Sequence, residues 1–454
     1  MKEYDLIVVG AGSGNMLPAD GFNGWRIAII EPDRMGGTCL NRGCIPSKCF
    51  VYTADVAATI ASSAKFNLGS RLVDVDWPAI RDRIFARIDP LHQSAVDYRR
   101  ANGIDVYTDA ARFTGDRTLQ VGSEAIAATH VVIASGSRPF APAIPGLDSV
   151  HYETSDTVMR LNELPASMVI VGGGYIAAEM AHIFGALGTK VTVVNRSSVL
   201  LGAQDHSVST AFTDIASTRW NVHLNSTVTS VAKSGAGVRV EIQDCNDSSS
   251  THEADVLLLA TGRIPNTDIL DVAAAGVEVD GSGYVIEDSF GRTNKFGVWT
   301  LGDASNHFQL KHVANAQARA VWHNIERGDD LRAAKLGVVP SAVFTSPQIS
   351  SVGETETELR SRGADYLTAT QPYGATAYGW AMEDTTSFAK VLIERESLKL
   401  LGAHIMGPQA SLILQPVVQA MSLGNTADQL ANDVMYAHPV LTEVLEQALL
   451  EALA

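Results

Sequence analysis

The sequence of 454 residues predicts an α/β protein with two Rossmann-like dinucleotide-binding domains and a C-terminal α+β domain. Three observations lead there. An apolar run entering a glycine-rich turn occurs twice, at residues 6–15 and 168–177. Further apolar runs end in small residues at 133–136, 259–263 and 298–304. Beyond Val339-Pro340 the pattern changes, with strands expected at 342–345 and 388–395 and helices near the end.

Leu6-Ile7-Val8-Val9 has the continuous apolar character of a parallel strand buried on both faces. Gly10 permits a tight turn, and Gly12 lets the backbone approach a pyrophosphate. The third fingerprint position is Asn15, a departure, and Pro18 falls in the first turns of the helix expected there. A second strand, Ile27-Ala28-Ile29-Ile30, ends at Glu31, whose carboxylate suits ribose hydroxyls. The plainer alternative is two buried strands joined by a glycine turn.

The pattern returns at 168–171, followed by Gly172-Gly173-Gly174-Tyr175-Ile176-Ala177, an intact GxGxxA. The next strand, 190–194, ends in Asn195 and Arg196 where an acid would favour NAD. An arginine there favours a 2′-phosphate and hence NADPH, with an ordinary surface arginine as the alternative. Asp303, in Leu301-Gly302-Asp303, is a candidate acceptor for a polyol chain. The proline-rich stretch from Arg138-Pro139 to Pro145-Gly146 marks an exit from the first domain. Expected bounds are 1–145 and 266–335 for the first dinucleotide domain, 146–265 for the second, and 336–454 for the last.

Composition narrows the function. With 46% hydrophobic and 19% charged residues the chain is an ordinary globular one, and its net charge of −16 argues against nucleic-acid or anionic membrane partners. No apolar run reaches the ~20 residues needed to span a bilayer. Met1-Lys2-Glu3-Tyr4-Asp5 runs straight into a strand, leaving no room for a signal peptide. Four cysteines are too few for a secreted disulfide framework, so a reducing cytoplasm is expected.

The chemistry concentrates in GGTCLNRGCIPSK, residues 36–48. Cys39 and Cys44 are close enough to close into a disulfide and reopen, and a helix N-terminus favours a thiolate. Buried structural cysteines are the alternative. A zinc site would want a second ligand pair, which Cys49 and Cys245 do not form, so no metal is expected. Near the C-terminus His438-Pro439-Val440-Leu441-Thr442-Glu443 offers an imidazole able to exchange protons and a carboxylate to fix its tautomer.

Together, residues 36–48, the two dinucleotide motifs, Thr300-Leu301-Gly302-Asp303 and His438 to Glu443 resemble the class I flavoprotein disulfide reductases. That family includes glutathione reductase, dihydrolipoamide dehydrogenase, mercuric reductase and trypanothione reductase. The resemblance implies FAD and NADPH as cofactors, a C-terminal dimerisation domain, and a homodimer whose active site is shared between subunits. Cys44 would lie against the flavin and Cys39 would attack substrate, while Lys48 would sit near the flavin, paired with Glu179. Tyr175 would cover the nicotinamide pocket, and His438 with Glu443 would reach the cysteines of the other subunit. The first dinucleotide would be held by Gly10, Gly12, Ser13, Gly14, Glu31, Gly37, Thr38, Lys48, Ala111, Ser135, Gly136, Arg263, Gly302 and Asp303. The second would be held by Gly172, Gly174, Tyr175, Ile176, Glu179, Arg196 and Gly262.

The implied reaction is ping-pong: hydride from NADPH reduces the cysteine pair through FAD, and the pair then reduces a small disulfide by thiol–disulfide exchange. Gly12-Ser13-Gly14-Asn15, residues 378–384 and residues 401–407 resemble the branch acting on mycothiol disulfide. Glutathione carries carboxylates, yet residues 16–24 contain no arginine and only Arg42 lies between the cysteines. Arg42, or side chains around Tyr52, would hold the sugar; a solvated Arg42 is the alternative. A lipoamide or glutathione-type substrate, and a flavin-binding redox sensor that never turns over, remain as other readings. Mercuric reductase is disfavoured because the tail Leu450-Glu451-Ala452-Leu453-Ala454 has no cysteine pair.

Overall fold

The computed structural model describes residues 1–18 and 21–454. The chain forms two compact units: Met1–Ser47, Pro78–Phe140 and Gly262–Leu336 make the first, and Lys48–Trp77, Ala141–Thr261 and Gly337–Ala454 the second.

In the first unit the strand Lys2–Val9 lies between Ile27–Ile30 and Glu124–Ile133, parallel to both. Asp105–Tyr107 extends one side of this seven-stranded sheet; Thr118–Val121 and Ala111–Gly115 extend the other, and Val298–Thr300 also pairs with Glu124–Ile133. Ile7 and Val9 face one core with Phe113 and Val298, and Leu6 and Val8 face another with Phe22 and Trp322. Burial on both faces is why its C-terminal half, residues 6–9, carries no polar residue, whereas Lys2 and Glu3 at its start are exposed.

The helix expected after Gly10 does not form. Ser13–Asn15 is a single 3-10 turn that ends at Met16, and no α-helix occurs among the described residues before Gly37–Asn41. Glycine, serine and asparagine are poor helix formers, and Pro18 removes an amide donor. Aromatic packing holds the connection instead: Phe22 lies 5.0 Å from Trp25 and 6.1 Å from Trp322, ring centre to ring centre.

In the second unit five parallel strands are ordered Asn221–His223, Lys190–Val194, Ser167–Val171, Val256–Leu259, Glu153–Thr154. An antiparallel meander, Ser226–Ser234, Gly237–Asp244 and Ser249–Ala254, shares a core with them through Val240, Ile242, Val169 and Leu257. The same unit holds a five-stranded antiparallel sheet in which Phe388–Glu394 and Leu400–Met406 are central. Helix Glu443–Leu453 buries Val444, Leu445 and Leu449 in the core of that sheet. The strand expected at 342–345 is Ser341–Val343. Among the described residues no helix is long and apolar enough to cross a membrane, and no group of three or more His, Cys, Asp or Glu is arranged to hold a metal.

Candidate active site

The two glycine turns repeat one geometry. Gly10 has φ +104°, and a Cβ there would stand 2.1 Å from the Ala134 carbonyl oxygen at the end of the neighbouring strand. Gly172 has φ +126°, and its Cβ would stand 2.2 Å from Ala260 O. Only glycine fits where the turn is left-handed and the adjacent backbone this near. Gly14 takes the close-packing role, since a Cβ would meet Val8 and Ala134 side chains at under 3.0 Å. The shift follows from the short 3-10 turn, and Asn15 is released to accept from Arg99 Nε at 2.8 Å.

Glu31 lies beside this turn, but its Oε2 accepts from Ala11 N at 2.8 Å, bracing the loop itself. Burial raises its pKa, opposed by that amide and by Arg42. At the carboxyl ends of the sheet, Ser137 Oγ donates to Asp303 Oδ2 at 2.8 Å and accepts from Arg263 Nε at 2.9 Å. Gly302 N is held by Gln317 Oε1 at 2.8 Å. Gly136 is left-handed at φ +67°, and the Ser135 hydroxyl is buried with no protein partner. An orphaned hydroxyl beside a glycine cradle fits a polar ligand such as FAD. Ala111 opens the edge strand of the same sheet, and Gly262 and Arg263 belong to this unit.

The cysteine pair is seated on the turn. Gly36 and Gly37 have φ +100° and +63°, and a Cβ on Gly37 would stand 2.7 Å from Gly12 Cα. Thr38 and Cys39 lie in the short helix Gly37–Asn41, while Cys44 opens the helix Cys44–Ser62. Asn41 is buried and its amide donates to the carbonyls of Arg34, Met35 and Gly37 at 3.2, 3.1 and 3.0 Å. Both cysteines are thiols, Cys39 half-buried and Cys44 exposed. The hydrogen bond to Cys44, and then burial, push the Cys39 thiol well up; Lys311 pulls the other way. Cys39, third residue of its five-residue helix, and Cys44, first residue of its 19-residue helix, both lie at helix N-termini, which favour negative charge, the longer helix more strongly. Arg42, its side chain 31% exposed, forms an ion pair with Asp33.

In the second unit Lys48 Nζ donates to both oxygens of Glu179 at 2.8 Å. Phe344 N donates to the same carboxylate at 3.0 Å, and the ammonium stands 4.7 Å from the centre of the Phe344 ring. Gly174 caps the helix Tyr175–Ala186, with Tyr175 exposed and Ile176 half-buried at its first turn. Asn195 Nδ2 donates to the Ser197 and Val199 carbonyls at 3.2 and 2.7 Å, shaping the loop after Lys190–Val194. Arg196 projects from that loop, exposed and without an ion pair among the described residues. His438 Nδ1 lies 2.7 Å from Glu443 Oε1; the imidazole is 72% exposed and the carboxylate 14%.

Asn41, Phe344, Gln317 and Lys311 escaped the sequence reading. Each acts through a partner distant in sequence or through a backbone group, and none belongs to a spaced motif. The buried amide of Asn41, midway between the cysteines, was the one available signal.

A repeated dinucleotide turn, with a dithiol seated on one copy, defines a nucleotide-dependent disulfide oxidoreductase. The chain belongs to the pyridine nucleotide-disulphide oxidoreductase family, whose model matches residues 4–320 and whose dimerisation-domain model matches 339–449. It is a flavoprotein disulfide reductase, and the family's cofactors are FAD and NAD(P)H. It is 46% identical to mycothione reductase of Mycobacterium tuberculosis (strain H37Rv), with 99% of each chain covered. It is 31% identical to dihydrolipoyl dehydrogenase of Chlamydia muridarum, over 99% of this chain and 97% of that one. The solved HOCl-induced flavoprotein disulfide reductase RclA from Escherichia coli superposes with TM-score 0.86 at 27% identity, over 98% of this chain and 99% of that one.

Proposed function

We propose that this protein reduces mycothiol disulfide to two mycothiols, drawing electrons from NADPH through FAD, as a homodimer in a reducing cytoplasm. The observation that carries the substrate is the full-length 46% identity to mycothione reductase. Arg42, committed to Asp33, and the lack of arginine at 16–24 agree with an uncharged substrate. Arg196, unpaired where an acid would select NAD, supports NADPH.

FAD would be held by Gly10, Gly12, Ser13, Gly14, Glu31, Gly37, Thr38, Ala111, Ser135, Gly136, Arg263, Gly302 and Asp303, with Lys48 near the flavin. NADPH would be held by Gly172, Gly174, Tyr175, Ile176, Glu179, Arg196 and Gly262. When bound, the two cofactors supply the electron pair that opens the Cys39–Cys44 disulfide. Cys39 then gives its proton to His438 of the partner subunit and attacks one substrate sulfur. The substrate S–S bond breaks, and the departing thiolate takes that proton back from the imidazole. Glu443 holds Nδ1, leaving Nε2 to face the sulfur. Cys44, as thiolate, attacks Cys39 in the mixed disulfide; the second substrate sulfur leaves as a thiolate that takes a proton from water, and the cysteine pair is oxidised again.

The exposed His438 and Met435, the latter 97% exposed, suit contact with a second subunit. Turnover of mycothiol disulfide, glutathione disulfide and lipoamide with each nicotinamide tests the reading. Preference for lipoamide with NADH overturns both substrate and electron source. Cys39→Ser should retain a long-wavelength thiolate–flavin absorbance and lose disulfide turnover, whereas Cys44→Ser should lose both. A colourless protein without that absorbance is no enzyme of this type.

A further inference from the structure

The first glycine turn lacks what the second possesses. Gly172-Gly173-Gly174 opens a helix of 12 residues, Tyr175–Ala186, whose aligned amides present positive charge to a phosphate. Gly10-Ala11-Gly12 opens only the three-residue turn Ser13–Asn15, too short to sum a comparable dipole. The segment supplies no cation either, because residues 10–24 contain neither lysine nor arginine. A dinucleotide pyrophosphate at such a turn carries two negative charges that this stretch does not meet.

Two cations from elsewhere in the unit reach the turn: Arg99, which donates to Asn15 at its end, and Lys311, which donates to Ser13 beside the glycines. Lys311 is the first residue of the 16-residue helix Lys311–Glu326, half-buried, and its ammonium donates to Ser13 Oγ at 3.1 Å. The same serine donates to Asn315 Oδ1 at 2.9 Å, one helical turn further on, so two side chains of this helix grip the turn. Among the described residues no carboxylate forms an ion pair with Lys311. A lysine at the first position of a helix opposes the helix dipole, so its place is not explained by helix stability.

We propose that Lys311 is a cofactor-positioning residue: its ammonium supplies the pyrophosphate of FAD with the positive charge that the missing first helix would have given. This rests on the reading of the Gly10–Asn15 turn as the FAD phosphate site. One charge-assisted contact to phosphate corresponds to a loss of about 10- to 100-fold in affinity when removed. Asn315 and Ser13 orient the ammonium, and Lys311 serves the bound cofactor before any electron moves.

The test is binding of FAD, and of ADP as a probe bearing the pyrophosphate without the flavin, to full-length protein stripped of cofactor. Lys311→Gln should weaken both by about 10- to 100-fold, and Lys311→Arg should restore most of the loss. NADP⁺ binding, at the other turn, should not change and reports that the variant is folded. In the parent protein ADP affinity should fall with added salt, and a salt-insensitive affinity counts against the proposal even if Lys311→Gln fails to fold. FAD and ADP affinities of Lys311→Gln within about twofold of the parent would overturn it. A parent protein that takes up no FAD would overturn the flavin-site reading beneath it.

Discussion

Lys48 and Glu179, 131 residues apart in the chain, are joined by two contacts of 2.8 Å from one ammonium to both carboxylate oxygens. The partners are unequally buried: the Lys48 side chain is 34% exposed and that of Glu179 only 6%. Removing one partner therefore has unequal consequences. Lys48→Met leaves the buried carboxylate facing the Phe344 amide without its ammonium, and should destabilise by about 3 kcal/mol. Glu179→Gln leaves a lysine with access to water and to the Phe344 ring, and should destabilise by about 1 kcal/mol. Chemical denaturation at fixed cofactor concentration measures both, and equal losses would mean that the burial asymmetry does not control the pair.

This pair also shows what the sequence could and could not convey. The strands leading to Gly10 and Gly172 were legible because burial on both faces leaves an unbroken apolar run. The glycines were legible because a left-handed turn under a neighbouring carbonyl admits no Cβ. The helix after Gly10 was misread: the fingerprint implies one, but local propensity and Pro18 won. Phe344 and Lys311 were silent because a single long-range hydrogen bond writes no periodicity. Glu31 was legible as an acid ending the second strand, but the contact of one of its oxygens with the Ala11 amide was not.

His438 and Glu443 divide the work of proton transfer. His438→Asn should lower disulfide turnover by about 100- to 10,000-fold while leaving reduction of the bound flavin by NADPH intact. Glu443→Gln should have a smaller effect, since the imidazole stays but its Nδ1 contact loses charge assistance. Stopped-flow separation of the two half-reactions checks this. A slowed first half-reaction in His438→Asn would remove the histidine from the substrate step.

Arg196 is exposed and has no ion pair among the described residues, so a dianionic 2′-phosphate would meet an accessible cation. Arg196→Met should reduce kcat/KM for NADPH by about 10- to 100-fold and leave that for NADH unchanged. The loss should shrink as salt is added, because screening weakens an exposed ionic contact. Equal losses with both nucleotides would place Arg196 outside the 2′-phosphate site.

Glu287 gives the fold a dependence on pH that no motif announces. Its Oε1 accepts from Gln317 Nε2 at 2.7 Å, and its Oε2 is buried without a hydrogen-bond partner. Burial raises its pKa from 4.5 to about 7; Ser305 and Gln317 lower it, and Asp288 raises it. The folded state thus binds the proton more tightly than the unfolded state. Stability should fall as pH rises from about 4.5 to about 7, and the full penalty should remain above that range. Glu287→Gln keeps an oxygen for Gln317 and carries no charge, so it should gain about 2 kcal/mol over the parent at pH 8 and little at pH 4. Denaturation midpoints of the two proteins across that range measure the difference. A constant offset between the curves would show that Glu287 stays ionised in the fold, and that its buried oxygen is met by solvent.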